Sequence, residues 1–299
     1  MVALLALSAA ACGSDDDEAA PETTAVAETT VAETTSPEST TPATTPPTGS
    51  ELEAASVTGI TVDGDAADWE TVSALEVTLE PLEDPEGESP EPKDSSVKVA
   101  YDSENVYVLV QVEDDYNWDP ADAHLSASGG VMWAIDSSAG EGMGATEDDQ
   151  ETSLGAVDIW HWELECAAGT VSGGSTSEAG VDEETGEAND LGNDAACNFD
   201  DEWSTDPETR EDDNGEGAEN SLAGAWSHSA PTADAPGTWT LEMSRPLDTG
   251  DSTDAAFAAG GTAQLGIAYW DPDTTDKGWE DDGHVTSAKD GWITVTFAE

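Results

Sequence analysis

The sequence predicts an all-β protein: a single β-sandwich of the immunoglobulin-like or jelly-roll type, with a long acidic insertion and a disordered tether before it. Three observations predict this fold. Short segments rich in β-branched and aromatic residues recur from residue 57 onward. Turn sequences separate them, and amphipathic segments with helical spacing are nearly absent. About eight strands joined in this way favour two packed sheets.

The N-terminus resembles a bacterial lipoprotein signal peptide, residues 1–11. A short apolar run ends in three alanines followed by Cys12. Spanning a bilayer as a helix takes roughly 20 apolar residues, so the run is too short to be an anchor by itself. The resemblance implies that Cys12 is lipidated, and that the protein is exported and held by this lipid at the outer face of the cell membrane. An ordinary secretory signal is the alternative.

Residues 12–56 follow as a linker of Thr, Pro, Ala and Glu with few large apolar side chains. Such a segment cannot bury enough surface to offset its ordering entropy, which predicts a disordered tether. The remaining residues, 57–299, are enough for one large β domain. We therefore expect one folded domain behind an extended linker.

The strand signals can be placed in order along the folded region. A turn with Gly64 opens it in "ITVDGDAADWETV", 60–72. In "NVYVLVQVED" four valines share one face while Tyr107 and Leu109 start the other, which predicts a central strand covered on both sides. In "VDIWHWELE" alternation places Trp160 and Trp162 on one face and His161 on the other. The predicted strands are 75–81, 96–101, 105–114, 130–136, 157–165, 238–247, 263–271 and 291–298.

One long interruption separates these strands. Residues 167–236 are dominated by Gly, Ser, Asp and Glu with little periodicity, and we expect much of the segment to be a mobile loop. Cys166 and Cys197 remain once Cys12 is assigned to the signal. In an exported protein such a pair predicts a disulfide. Zinc is disfavoured because no CxxC spacing is present.

The charge balance excludes one class of partner. The chain has 68 acids against 6 bases, a net charge of −62. Binding of phosphate backbones needs clustered Lys and Arg, so nucleic acid is excluded. The acidic character indicates a well-solvated surface, with recruitment of cations or basic partners as the alternative.

Two sets of motifs resemble known families. "ITVDGDAADWETV" with "VKVAYDSENVYVLVQVEDD" looks like the start of the family 9 carbohydrate-binding module. Further on, "MWAID", "VDIWHWE", "LEMSRPLDTGD" and "LGIAYWD" occur in an order that resembles the ethylbenzene dehydrogenase-type haem-binding domain, the gamma subunit of ethylbenzene and dimethyl sulfide dehydrogenases. "SRPLDTGD" and "DIWHW" are the most specific pieces.

The second resemblance implies non-covalent b-type haem with a methionine and a lysine as axial ligands. It also implies electron transfer between a molybdenum oxidoreductase and a carrier. Met143 in "GEGMGA" stands where the methionine is expected, and Lys289 or His284 is the candidate second ligand. Covalent attachment is excluded because CxxCH is absent. The candidate pocket residues are Met132, Trp133, His161, Trp270 and Arg245, the last as a contact to a haem propionate or as a structural ion pair.

Two other binding functions compete with haem. Eleven tryptophans, among them Trp118, Trp203, Trp226 and Trp279, favour a module that binds carbohydrate or a cell-surface polymer. Asp271, Asp273 and Asp276 form a weak candidate calcium site, although their spacing is not that of an EF-hand. Nucleophile and metalloprotease motifs are absent, so we expect no enzyme activity of the domain's own.

Overall fold

The computed structural model describes residues 50–82, 90–119, 122–146, 152–164, 199–206, 209–213, 221–274, 278, 284–287 and 291–299, all within one compact unit, Thr45–Glu299. Thirteen strands and two 3-10 turns, Ala66–Trp69 and Ala123–Leu125, make up their regular structure. No helix in this part of the chain is long and apolar enough to cross a membrane. The strands are β1 Glu51–Ser56, β2 Leu75–Pro81, β3 Lys93–Tyr101, β4 Asn105–Asp115, β5 Ser128–Ala134, β6 Val157–Glu163, β7 Phe199–Ser204, β8 Glu211–Asp212, β9 Ala223–His228, β10 Pro236–Pro246, β11 Thr262–Trp270, β12 Val285–Thr286 and β13 Ile293–Phe297.

The strands form two sheets that meet at their edges. Sheet 1 has the order β8-β7-β6-β5-β11-β13-β1, and sheet 2 has the order β2-β3-β4-β10-β9. Neighbours are antiparallel except β1, which pairs in parallel with β13 and, at its end, with β3. The short β12 connects β11 to β2. The predicted all-β sandwich is confirmed.

The apolar core lies between the two sheets. The four valines of β4, at 106, 108, 110 and 112, are all nearly inaccessible and face this core. On the opposite face of β4, Tyr107 and Leu109 pack against Trp69 in a second apolar cluster. Strand β4 is therefore covered on both sides, as its sequence predicted. Burial of this kind contributes roughly 25 cal/mol per Å² of apolar surface removed from water.

The "DGDAADW" turn is fastened to sheet 2 by one carboxylate. Glu242 on β10 accepts hydrogen bonds from the backbone N–H of Asp63 at 2.9 Å and of Gly64 at 2.5 Å. Its other oxygen accepts the indole N–H of Trp69 at 2.5 Å. Gly64 has a φ of 79°, which a residue with a side chain rarely adopts. The motif that resembles carbohydrate-binding modules thus has a structural role here.

Two boundaries predicted from the sequence are wrong. Strand β1 lies inside the segment 12–56 that was expected to be disordered, because Leu52 and Ala54 point into the core while the residues between them stay at the surface. Strands β7, β8 and β9 lie inside the predicted 167–236 loop. Their acidic residues conceal the strand pattern, although Phe199 and Trp226 are buried. Cys12, Cys166 and Cys197 lie outside the described residues.

Candidate functional site

Strand β6 carries different chemistry on its two faces. Trp160 and Trp162 are fully buried in the core between the sheets. His161 points to the other side of sheet 1, as alternation predicted, and is only 6% exposed. We call that side the outer face of sheet 1. Its central strands, β5, β6 and β11, also place Met132, Ile159 and Trp270 there.

The floor of this outer face is free of side chains at two neighbouring positions. A Cβ atom added to Gly130 on β5 would lie 2.9 Å from the carbonyl oxygen of Trp160. A Cβ on Gly266 of β11 would lie 3.3 Å from the Met132 Cε and 3.5 Å from the Trp292 ring. The two glycines form a strip that has no side chains of its own, and the Met132 and Trp292 side chains cover it at Gly266. Both glycines are buried.

At one end of the strip, Trp270 lies between two histidines. Its ring centroid is 5.5 Å from that of His161 and 4.6 Å from that of His284, with the His284 ring inclined by 32°. Burial and the charge of nearby His161 lower the pKa of His284 to about 4. The His284 imidazole is therefore neutral at neutral pH and has a lone pair available for a metal.

His161 lies among oxygen atoms. Its Nε2 is 3.2 Å from the Ser128 hydroxyl and 3.5 Å from a Glu163 oxygen, and its Nδ1 is 3.8 Å from Glu202. Burial would lower the pKa of His161, but the two carboxylates outweigh it and raise that pKa. Burial would raise the pKa of Glu202, and the charges of His161 and Arg210 lower it instead. His161 is thus better suited to carry a proton than to ligate a metal.

At the other end of the strip, Met143 lies over an apolar patch. It packs with Met132 and Trp292 against the cluster of Ala139, Val157 and Ile159. Met143 has a φ of 51°, uncommon for a residue with a side chain. The Trp292 indole donates to the Ala139 carbonyl at 3.2 Å and fixes the same loop. Such local strain persists where surrounding structure enforces it, often at binding sites.

Met143 and His284 lie at opposite ends of the strip. Trp270, the neighbour of His284, pairs with Ser128, whereas the patch under Met143 is at the level of Met132. Four residues of strand separate these levels, about 13 Å. The two side chains therefore do not reach one iron atom in this conformation. Lys289 lies outside the described residues.

Two predicted pocket residues belong instead to the interior. Trp133 is fully buried and packs edge-on against Phe257 at 4.9 Å, because alternation turns it away from the outer face. Arg245 on β10 is also fully buried. Its Nη1 lies 2.7 Å from Asp158 Oδ2, and its Nη2 contacts Asp201 at 3.3 Å and Asp254. The proposed propionate contact of Arg245 is thus wrong, and its structural ion-pair alternative describes this geometry.

The candidate calcium residues are only partly placed. Asp271 lies 2.6 Å from the Lys93 ammonium, which also contacts Asp114 at 2.5 Å. The other Asp271 oxygen, Oδ1, accepts a hydrogen bond from the backbone N–H of Asp273 at 2.8 Å. Asp276 lies outside the described residues. A lysine therefore already supplies the positive charge beside Asp271, so calcium is disfavoured there.

Three of the four tryptophans that favoured a carbohydrate-binding module lie within the described residues. Trp226 is part of β9 and is 2% exposed, within a cluster that includes Trp162 and Trp239. Trp118 packs against the same core, and Trp203 belongs to β7. Trp279 lies outside the described residues. Trp270, a predicted pocket residue, is half-buried on the outer face. Trp292 is half-buried on the same face and was missed, because it stands directly before a strand rich in apolar residues.

The fold defines a β-sandwich domain that presents polar and aromatic side chains on one outer sheet face. The chain belongs to the ethylbenzene dehydrogenase family, whose model matches residues 66–285. This confirms the resemblance drawn from "DIWHW" and "SRPLDTGD". No curated protein matches the chain.

Solved structures with low sequence identity are also similar in part. A putative carbohydrate-binding protein from Bacteroides uniformis ATCC 8492 is 11% identical with a TM-score of 0.46, covering 83% of this chain and 99% of that one. A family 9 carbohydrate-binding module from Caldicellulosiruptor kristjanssonii in complex with glucose is 9% identical with a TM-score of 0.39, covering 83% and 95%. The complex of such a module from the same organism with cellotriose is 10% identical with a TM-score of 0.41, covering 83% of this chain and 93% of that one.

Proposed function

We propose that the outer face of sheet 1 binds b-type haem, that Met143 is one axial ligand, and that the domain transfers electrons beside an oxidoreductase. One observation carries the proposal: in a member of the ethylbenzene dehydrogenase family, a methionine at positive φ lies over an apolar patch beside a strip of two buried glycines. A thioether ligand suits low-spin haem iron and raises its potential.

Each part of the outer face has a role in this proposal. The apolar patch of Ala139, Val157 and Ile159 keeps water away from the Met143 sulfur. A flat group bound at Gly130 and Gly266 would take the place of the Met132 and Trp292 side chains that cover Gly266. Trp292 holds the Met143 loop in place through its bond to Ala139. Haem, when bound, supplies one-electron redox chemistry.

The proposed second ligand is Lys289, since His284 lies at the far end of the strip. In a domain this acidic, haem propionates need a cation. Among the described residues of sheet 1 and its loops, Arg210 lies close to His161 through their shared partner Glu202. We assign Arg210 and the protonated form of His161 to that role in place of Arg245.

Haem titration tests the proposal. We expect the purified domain to take up one haem and to show a sharp Soret band between roughly 400 and 430 nm. Met143→Leu keeps the apolar volume but removes the sulfur, so the low-spin spectrum should be lost. Met132→Leu on the same face is the matched control and should leave the spectrum unchanged. Absence of any spectral change with the unmodified domain would refute haem binding.

A carbohydrate-binding function keeps one specific observation in its favour. Trp270 and Trp292 are two half-buried aromatic rings on the outer face, and sugars stack on such rings. Against it, the His284 ring already packs on the Trp270 ring at 4.6 Å, inclined by 32°. Calorimetric titration with glucose and cellotriose distinguishes the two functions. A heat of sugar binding that is lost in Trp270→Ala but kept in Met143→Leu would favour the carbohydrate-binding function.

The same proposal places the protein at the cell surface. Lipid on Cys12 would hold the domain at the outer face of the membrane, near a molybdenum oxidoreductase or an electron carrier. Metabolic labelling with a radioactive fatty acid tests this step. We expect label in the full chain and none in Cys12→Ser.

A further inference from the structure

The interior contains a cluster of charges that the proposed haem site does not use. Asp158 on β6, Asp201 on β7 and Asp254 surround Arg245 on β10, and all four side chains are at most 2% exposed. One ligand oxygen from each of the three aspartates lies within 4.8 Å of the others. Three carboxylates and one guanidinium leave two negative charges without compensation. Burying uncompensated charge costs several kcal/mol per ion.

The unpaired oxygens of these carboxylates add a second observation. Within the part of the chain that the structure describes, Asp158 Oδ1, Asp201 Oδ1 and both Asp254 oxygens are buried and accept no hydrogen bond, and Arg245 Nε and Nη2 donate none. Asp158 uses its other oxygen for Arg245 and for the backbone N–H of Ala255 at 2.9 Å. Buried carboxylate oxygens without a donor are rare in folded proteins and call for a partner.

We propose that Asp158, Asp201 and Asp254 bind one calcium ion beside Arg245. A divalent cation balances the two remaining negative charges and supplies a partner for the unpaired oxygens. Calcium fits better than magnesium, because it accepts irregular sets of oxygen ligands, whereas Mg²⁺ requires near-octahedral geometry and retains several waters. This site is distinct from Asp271, Asp273 and Asp276, and it does not depend on haem binding.

The ion could enter beside Asp213. This residue is half-buried, donates its backbone N–H to the Asp201 carbonyl at 2.8 Å and accepts the Thr253 hydroxyl at 3.1 Å. Asp213 is thus a half-buried carboxylate directly beside the buried cluster.

Equilibrium dialysis with Ca²⁺ tests the proposal. It is done with the full chain at about 0.3 M NaCl, where surface carboxylates are well screened. We expect one strongly bound calcium per chain and a higher Tm with Ca²⁺ than with EDTA. Asp254→Asn should bind calcium at least about tenfold more weakly, a change of about 1.4 kcal/mol. The control Asp94→Asn makes the same charge change at an exposed position of β3 and should bind normally.

Two binding results would overturn the site: no stoichiometric calcium, or equal calcium binding by Asp254→Asn and the unmodified chain. A Tm that responds to pH but not to Ca²⁺ would also overturn it, because protons would then balance the charge of the cluster. If Asp254→Asn does not fold, Tb³⁺ luminescence of the unmodified chain is measured instead. The Trp160 ring lies 5.6 Å from the Arg245 guanidinium carbon and would sensitise its emission. If one equivalent of Ca²⁺ removes the Tb³⁺ emission, the result supports the site. If the emission does not change, the result contradicts the site.

Discussion

The two faces of β6 show how one strand separates a structural site from a candidate ligand site. On the inner face, Asp158 joins sheet 1 to Arg245 of sheet 2 at 2.7 Å, and neither side chain is exposed. On the outer face, the buried His161 and the half-buried Trp270 lie at one end of the strip, and the half-buried Met143 lies at the other. The family motifs "DIWHW" and "SRPLDTGD" meet at the Asp158–Arg245 pair. The most specific sequence signature therefore marks the connection between the sheets rather than the ligand.

Replacement of the buried Arg245 should lower the free energy of unfolding more than any other change proposed below. Arg245→Met leaves Asp158, Asp201 and Asp254 buried without their counter-charge, which should cost about 3–5 kcal/mol of folding free energy. Urea unfolding at neutral pH measures this loss.

The control for this prediction uses the outer-face arginine. Arg210 pairs with Glu202 at 3.4 Å but its side chain is 45% exposed, so Arg210→Met should cost less than about 1 kcal/mol. Equal losses in the two variants would contradict the distinction between the faces.

The inner cluster should also make stability depend on pH. Asp158 has a folded-state pKa of about 6, above its unfolded value. Its contribution is therefore present below the unfolded pKa near 3.8 and is lost as the pH rises through about 6, roughly 2–3 kcal/mol for a shift of this size. In calcium-free buffer the free energy of unfolding should fall between pH 4 and pH 7.

Asp158→Asn isolates this effect because the amide keeps an oxygen acceptor for Arg245. Its pH profile should be flatter than that of Asp94→Asn, which loses the same charge at the surface. Parallel profiles would show that overall charge repulsion, and not Asp158, sets the dependence.

The outer face should give the smallest change in stability. Glu163 and Glu202 raise the pKa of His161, so its contribution is complete below the unfolded pKa near 6.5 and is lost as the pH rises through the folded pKa. His161→Gln should cost about 1 kcal/mol at pH 6 and less at pH 8.5. A loss that is larger at the higher pH would contradict this assignment.

Strands with regular apolar alternation could be predicted from the sequence. Strands with a buried charged residue at an inward position could not. The alternation of β4 and β6 is visible because apolar side chains repeat on one face. In β7, "FDDEWS", one inward position holds Asp201, whose partner Arg245 is remote in the chain. Strand β1 turns only Leu52 and Ala54 inward, so its composition resembles the linker before it.

The candidate site was only partly predictable for a related reason. Period-2 alternation separates Met132 from Trp133, but both faces of β5 carry apolar residues, so the sequence does not say which face is the core. Arg245 was assigned to a pocket because its three carboxylate partners come from distant segments. The strip at Gly130 and Gly266 appears only when β5 and β11 are paired.

The most direct test of the central claim is the absorption spectrum of the reduced domain, with one equivalent of haem, for the unmodified chain, Met143→Leu and Met132→Leu. If the outer face binds haem through Met143, the unmodified chain and Met132→Leu give the same low-spin spectrum, and Met143→Leu loses it. An unchanged low-spin spectrum in Met143→Leu, or no haem uptake by the unmodified chain, would contradict the claim.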